Sequence, residues 1–324
     1  MNPYTASLRP VWERPTVVSL DTVALDQFAT SIYREDFPVP SWREPVFPAD
    51  DDERFVNFVG VGNTINFAFT DFATHKTFES QYGQQSWRGA FGMWACLKRA
   101  YDEDHDFNNL QWLVQMSLGD MQQLFAGAVP IPMLQDRLEL FHETGTVLAK
   151  RFGGSFWNLL QGCNFRAFGE AGFVPTLIRE LPGFRDESVH AATGVRLKFQ
   201  KRAQLLAMMY QGRAMSQEAL PFLQDYELLG PIADYSVPKA LHMFGILKYS
   251  DELETRVATG TIVQKDSVAE QEIRAQTVRA QVLLLERLNS MRDEKTNYLA
   301  LDYKLWSAGR GRQHRHHLTQ TRSY

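Results

Sequence analysis

The chain has 324 residues, 44% of them hydrophobic, 12% aromatic and 22% charged, with 14 Pro and 21 Gly, which excludes a disordered, collagen-like or disulfide-stapled protein. A chain of this length buries roughly 75% of its unfolded surface, so neither a metal nor a disulfide is required for stability. Its 34 Lys and Arg against 38 Asp and Glu leave a net charge of -4 and a pI near 6.1; that argues against a duplex-DNA binder, whose domain pI ordinarily exceeds about 9.

The charge is unevenly placed. Gly309 to Tyr324 contain four Arg, three His and no acid, so the first 308 residues hold 30 bases against 38 acids and carry -8. Such a tail is expected to be solvated, with a fold-back onto a bound anion as the alternative. Only Cys96 and Cys163 are present, which fits a reducing compartment. The N-terminal segment carries Arg9, Pro10, Glu13, Arg14 and Pro15 where a secretory signal needs an unbroken apolar run. The longest uncharged stretch, Phe55 to Thr70, has 16 residues and is too short and too polar to span a bilayer.

Along the chain, Pro10, Pro15, Pro38, Pro40, Pro45 and Pro48 make residues 1–54 read as an extended strap over a body that begins near Phe55. The run Asp50-Asp51-Asp52-Glu53 reads as a solvated charge cluster, or else as a complement to a helix N-terminus. Phe55–Val59 and Ile65–Phe69, separated by Gly60-Val61-Gly62-Asn63, are compatible with one short β-hairpin or with a buried helix entry. Gly60-x-Gly62 lacks the third glycine of a dinucleotide-binding fingerprint, Ile65 standing in its place, and reads as a turn. Asp102-Glu103-Asp104-His105-Asp106 lacks the glycine and closing glutamate of a calcium loop and is expected to be an exposed acidic loop without metal.

Helical signals dominate from there. Leu134, Leu138, Phe141, Leu148 and Phe152 share one face, and Gly153-Gly154 stops the helix. Ser155 to Leu160 opens a new segment. Leu181-Pro182-Gly183-Phe184-Arg185-Asp186 reads as a tight turn between helices. Lys201 begins an apolar helix, at an end where the helix dipole disfavours a cation. Asp234 sits in an apolar stretch before Pro238, where an N-cap is the ordinary role for Asp. Ser267 and Glu270 have the spacing of a capping box, followed by the face Ile273, Thr277, Ala280, Leu284, Leu288 and Met291, about seven turns of helix. The expected fold is predominantly α, a compact helical unit of two lobes over residues 55–308, between the strap and a basic tail at 309–324. No G-x-S-x-G elbow or activated cysteine offers an acyl-transfer nucleophile, and His75, His142, His190 and His242 stand alone and read as structural.

A set of motifs is similar to the queuosine salvage family, whose members release queuine from queuosine 5'-monophosphate: Asn66-Phe67-Ala68-Phe69, Phe152-Gly-Gly-Ser155-Phe156, Phe184-Arg185-Asp186, Lys201-Arg202-Ala203-Gln204, Ala233-Asp234-Tyr235 with Val237-Pro238, Glu270 to Ala275, and Asp302 with Leu305-Trp306. Lys201-Arg-Ala-Gln204 followed by Ala233-Asp-Tyr235 is the most specific pair. His317, Thr321, Arg322 and Tyr324 resemble the family's ending more weakly. This chain has Ser236 and Lys239 where the family usually has Arg and Gln, and Thr70 where many members carry Trp.

The resemblance implies a helical fold related to helix-hairpin-helix DNA glycosylases, acting on a free nucleotide. It implies Asp234 and Lys201 as catalytic groups and Asn66, Phe67, Arg202, Tyr235, His317 and Arg322 as substrate contacts. It further implies no cofactor, no stable nucleic-acid partner, no membrane and a cytoplasmic location. Breaking a ribosyl C–N bond builds positive charge on the sugar, so a carboxylate beside the anomeric carbon fits this chemistry. A DNA-repair-type base glycosylase and a non-catalytic deazapurine nucleoside-binding module remain as alternatives.

Overall fold

A computed structural model describes residues 2–103, 105–217, 219–311 and 314–324. These residues form fourteen α-helices and three two-stranded antiparallel pairs. Two pairs are local hairpins, Glu79–Tyr82 with Gln85–Arg88 and Glu187–Val189 with Arg196–Lys198. The third joins Val18–Leu20 to Leu247–Tyr249, tying the N-terminal segment to the C-terminal half. No helix among the described residues is long and apolar enough to cross a membrane.

Of the two readings of 55–69, the buried helix entry holds: the stretch is the helix Glu53–Thr64 followed by an irregular segment. Every residue from Phe55 to Thr64 is buried, so the stretch has no solvent-facing side to impose the alternation of a strand. The acidic run before it complements the helix rather than standing free. Asp52 accepts from the backbone N–H of Arg54 as N-cap, and Asp50 and Asp51 accept from Arg54 and Arg213. The first 54 residues are not extended throughout: helices cover Arg9–Glu13 and Thr22–Ile32, with the strand Val18–Leu20 between them.

Other expectations hold closely. The helix Leu134–Arg151 stops at Gly153 and Gly154, both at positive φ, and Ser155 caps the helix Phe156–Gly162. Ser267 caps the helix Val268–Met291, accepting from the Glu270 N–H. Only half of a capping box forms there, since the Glu270 carboxylate reaches back to the N–H of Asp266. Leu181–Asp186 is a 3-10 turn at Pro182–Phe184, but it links the helix Phe173–Glu180 to the 187–198 hairpin rather than to another helix.

The core is built from two large clusters. One gathers residues between Trp42 and Ile232 with Leu299. The other gathers Val18 to Ile32 and Val237 to Leu305. The chain passes from the first to the second through Ala233-Asp234-Tyr235-Ser236, so the acidic residue singled out from sequence sits where the clusters meet. Trp306, on the helix Tyr298–Gly309, packs against both.

From His316 onward the basic tail packs against the body rather than standing wholly in solvent. His317, Leu318, Thr319, Thr321 and Tyr324 are buried, Val263 donates to the Leu318 carbonyl at 2.8 Å, and Ala68 donates to the carbonyl of Tyr324 at 3.1 Å. Charge alone suggested solvation; the apolar Leu318 and the aromatic Tyr324 decide otherwise.

Gly62 lies against the indole of Trp94, where an added Cβ has no room, whereas a Cβ on Gly162 meets nothing within 4 Å. Gly62→Ala is therefore expected to cost about 1–3 kcal/mol by overpacking. Gly162→Ala is expected to be neutral or stabilising by about 0.5–1 kcal/mol, as alanine favours helix. Urea denaturation of the two variants checks the contrast.

Candidate active site

A pocket at the junction of the two clusters is lined by Asn66, Phe91, Trp94, Lys201, Met208, Asp234, Tyr235, Asp302 and Trp306, among others. Four of its polar groups come from four separate elements. Asn66 follows the helix Glu53–Thr64, Lys201 opens the helix Lys201–Met215, Asp234 precedes the helix Ser236–Met243, and Asp302 lies in Tyr298–Gly309. All four are 4–7% exposed, so each charge is largely withdrawn from water.

Asp234 performs the helix-entry role expected from its sequence context. Its Oδ1 accepts from the backbone N–H groups of Ser236 and Val237, at 2.7 and 2.9 Å, and so closes the entry to the following helix. Its Oδ2 has no protein hydrogen bond among the described residues. One oxygen is anchored and the other remains available to a ligand.

Lys201 makes no direct ion pair among the described residues. Its Nζ donates to the Asn66 carbonyl at 3.1 Å. Burial pushes its pKa down to about 8, against the opposing pull of the Asp234 carboxylate and with a further push from Arg202. Asp302 was seen in the sequence only as part of a motif, and it proves to belong to the pocket. Burial, reinforced by the Asp234 charge, moves its carboxyl well above the usual carboxylate range, which favours the protonated form. Its Oδ1 is buried without any protein partner. That oxygen is open to a ligand, and leaving a buried polar atom unpaired costs about 1–3 kcal/mol.

The position of Lys201 and Asp234 is set from beneath by a buried ion pair. Arg274 donates to both oxygens of Asp186, at 2.8 and 2.5 Å, with each side chain no more than 3% exposed. Asp186 Oδ2 also accepts the Lys201 backbone N–H at 3.1 Å, while Arg274 reaches the Ala233 carbonyl at 3.3 Å. One guanidinium therefore ties the start of the Lys201 helix to the residue before Asp234. The rings of Phe199 and Tyr324 lie 3.9 and 4.3 Å from its centre, and Glu270 adds a second carboxylate at 3.6 Å. Neither Arg274 nor Asp186 was assigned a role from sequence, although both stand in quoted motifs.

The remaining expected contacts divide. Tyr235 lines the pocket and stacks on His316 at 4.3 Å; His316 also meets Thr70 Oγ1 at 3.0 Å. Thr70 thus helps hold an imidazole behind Tyr235. Phe67 does not line the pocket: it is fully buried, with Arg137 at 4.4 Å and Arg202 at 5.3 Å from its ring centre. Arg202 donates to the carbonyls of Asn63, Thr64 and Gly183, and so braces the segment that carries Asn66. His317 is buried against Tyr324, and burial pushes its pKa down to about 3, leaving it neutral. Arg322 is committed to Asp136 and Glu139. Stacking surfaces at the pocket are Tyr235, Trp306, Phe91 and Trp94.

The family model described as queuosine salvage protein matches residues 46–324. The chain belongs to the queuosine salvage protein family. It is 30% identical over 301 residues to a protein of Sphaerobacter thermophilus named queuosine 5'-phosphate N-glycosylase/hydrolase, covering 93% of this chain and 90% of that relative. Relatives with the same name in Mus musculus and Dictyostelium discoideum are 28% and 27% identical, covering 81% and 84% of this chain and 78% and 79% of theirs.

Because Arg274 and Asp186 are both buried, removing one partner leaves an uncompensated charge. Arg274→Met is expected to lower stability by about 3–5 kcal/mol. Chemical denaturation of the variant measures it, and a loss below 1 kcal/mol would show that the pair does not organise this region.

Proposed function

We propose that this protein hydrolyses the N-glycosidic bond of queuosine 5'-monophosphate, releasing queuine and ribose 5-phosphate. The observation that carries the reading is the Asp234 carboxylate, anchored through one oxygen and open through the other, in a pocket walled by aromatic rings. The names of the family relatives support the substrate assignment.

The bond that breaks joins C1' of the ribose to the base nitrogen. As its electrons move onto the base, positive charge spreads over C1' and the ring oxygen. Asp234 Oδ2 stabilises that charge in a site where water is scarce and electrostatic terms are strong. Water supplies oxygen to C1', and a proton goes to the departing base. Queuine is a 7-deazaguanine and has no N7 to protonate, so the base must be served at other atoms. The Asp302 carboxyl, whose burial favours the protonated form, donates to it, and the aromatic walls hold its faces.

Lys201 supplies the counter-charge that lets one of two buried carboxyl groups remain ionised while the other keeps its proton. The lowered pKa means that the ammonium is present below about pH 8 and lost above it.

The kinship to helix-hairpin-helix glycosylases, the division into two lobes and a cytoplasmic location belong to the same proposal. The two core clusters meeting at residues 233–236 support the lobes. A duplex-DNA glycosylase is disfavoured by the acidic body, and a non-catalytic binding module by the pairing of an open carboxylate with a protonated one.

Mass spectrometry of the protein incubated with queuosine 5'-monophosphate is expected to detect free queuine. Asp234→Asn should lower kcat about 10²–10³-fold, the scale of losing one electrostatic stabiliser. Undiminished release by that variant rejects the assignment. The pH profile of kcat should fall above about pH 8 as Lys201 loses its proton. Lys201→Met should show low activity without that limb, and an unchanged limb in the variant would assign it to another group.

A further inference from the structure

A cleft of about 620 Å³ adjoins the Asp234 pocket and shares Ala90, Tyr235 and Trp306 with it. Arg88, Lys239, Arg310 and Arg315 lie along it, and among the described residues its lining contains no Asp or Glu. In a chain with 38 acids against 34 bases, that segregation makes the cleft a local anion site.

Of the four cations, Arg88 is paired with Glu79 at 3.3 Å. The other three make no ion pair among the described residues. Lys239 Nζ donates to the Gly311 carbonyl. Arg310 lies 4.5 Å from the Phe91 ring centre and 4.9 Å from that of Trp306, at the shared edge of the two cavities. Arg315 donates to His75 Nδ1 at 2.9 Å, beside Gly260. Burial lowers the pKa of Lys239 and of Arg310, a cost that an anion in the cleft offsets. Three cations exceed what one phosphate monoester needs, since it carries about -1.5 to -2 at neutral pH.

We propose that this cleft is an anion subsite reaching past the 5'-phosphate, so that the enzyme also takes queuosine nucleotides with a second phosphate group on the 5' side. The inference rests on the function proposed above. Lys239 and Arg310, nearest the shared edge, meet the first phosphate, and Arg315 meets the second. Two substrates have this chemistry: a queuosine 5'-diphosphate, and a 5'-phosphorylated dinucleotide with queuosine at its 3' end. The reaction is unchanged, with the base–C1' bond broken, water's oxygen added to C1' and a proton passed to the base. The extra phosphate is bound and not consumed.

The test compares queuine release by the full-length protein from queuosine 5'-monophosphate, the 5'-diphosphate and the dinucleotide. At least one two-phosphate substrate is expected to match or exceed the monophosphate in kcat/KM, and which one does so tells pyrophosphate from phosphodiester recognition. Arg315→Gln, an exposed substitution, is expected to lower the ratio of two-phosphate to monophosphate kcat/KM roughly tenfold, the scale of one charge-assisted hydrogen bond. Added salt should lower the same ratio in the wild type. Efficient release from the monophosphate with at least 100-fold slower release from both larger substrates would overturn the subsite, as would a ratio unchanged by Arg315→Gln. No release from any of the three would overturn the function on which it rests.

Discussion

The fork of Arg274 on Asp186 is the constraint on which the candidate site depends. A guanidinium withdrawn from water is costly unless its donors and charge are answered. Here Asp186 answers two donors, the Ala233 carbonyl another, and the rings of Phe199 and Tyr324 lie against the cation. Because Asp186 also holds the backbone N–H of Lys201, the arrangement joins two segments 32 residues apart in sequence. The C-terminal residue enters the same construction twice, with its ring over Arg274 and its carbonyl on the N–H of Ala68. The tail thereby secures the segment that carries Asn66.

Above that support, the pocket separates two carboxyl groups by environment. Asp234 spends one oxygen on backbone donors at a helix entry. Asp302 receives none for its Oδ1 and is driven toward its neutral form. Two acids with divergent surroundings, balanced by one ammonium, form the usual physical basis for dividing charge stabilisation from proton donation. Placing them where two core clusters meet lets separate elements supply each group.

Much of this was legible in the sequence, for identifiable reasons. The Leu134–Arg151 helix and its double-glycine stop are local signals, as is the Ser267 cap. Lys201 and Asp234 stood out because each breaks a local rule, a cation at a helix N-terminus and an acid among apolar residues. Asp302 and Arg274 break no such rule. Each lies at one position of an otherwise ordinary helix, and its meaning comes from partners distant in sequence. Phe67 misled because an aromatic residue beside Asn66 suits stacking as well as burial; only the guanidinium groups of Arg137 and Arg202 near its ring reveal its place. The 55–64 segment stayed open between hairpin and helix because complete burial removes the periodicity that tells strand from helix. Net charge misled about the tail, since its Arg322 is neutralised by Asp136 and Glu139 while Tyr324 supplies the anchoring surface.

The central claim is that Asp234 faces a positive charge developing on the ribose. A ribose mimic with a protonated ring nitrogen, an iminoribitol 5-phosphate, carries that charge permanently, and its affinity reads the interaction without turnover. Titration calorimetry with wild type and Asp234→Asn is the direct measurement. Binding weakened about 10²-fold or more in the variant, with the affinity for ribose 5-phosphate little changed, is the outcome predicted here. Equal affinity of both proteins for the cationic mimic would contradict the role assigned to Asp234.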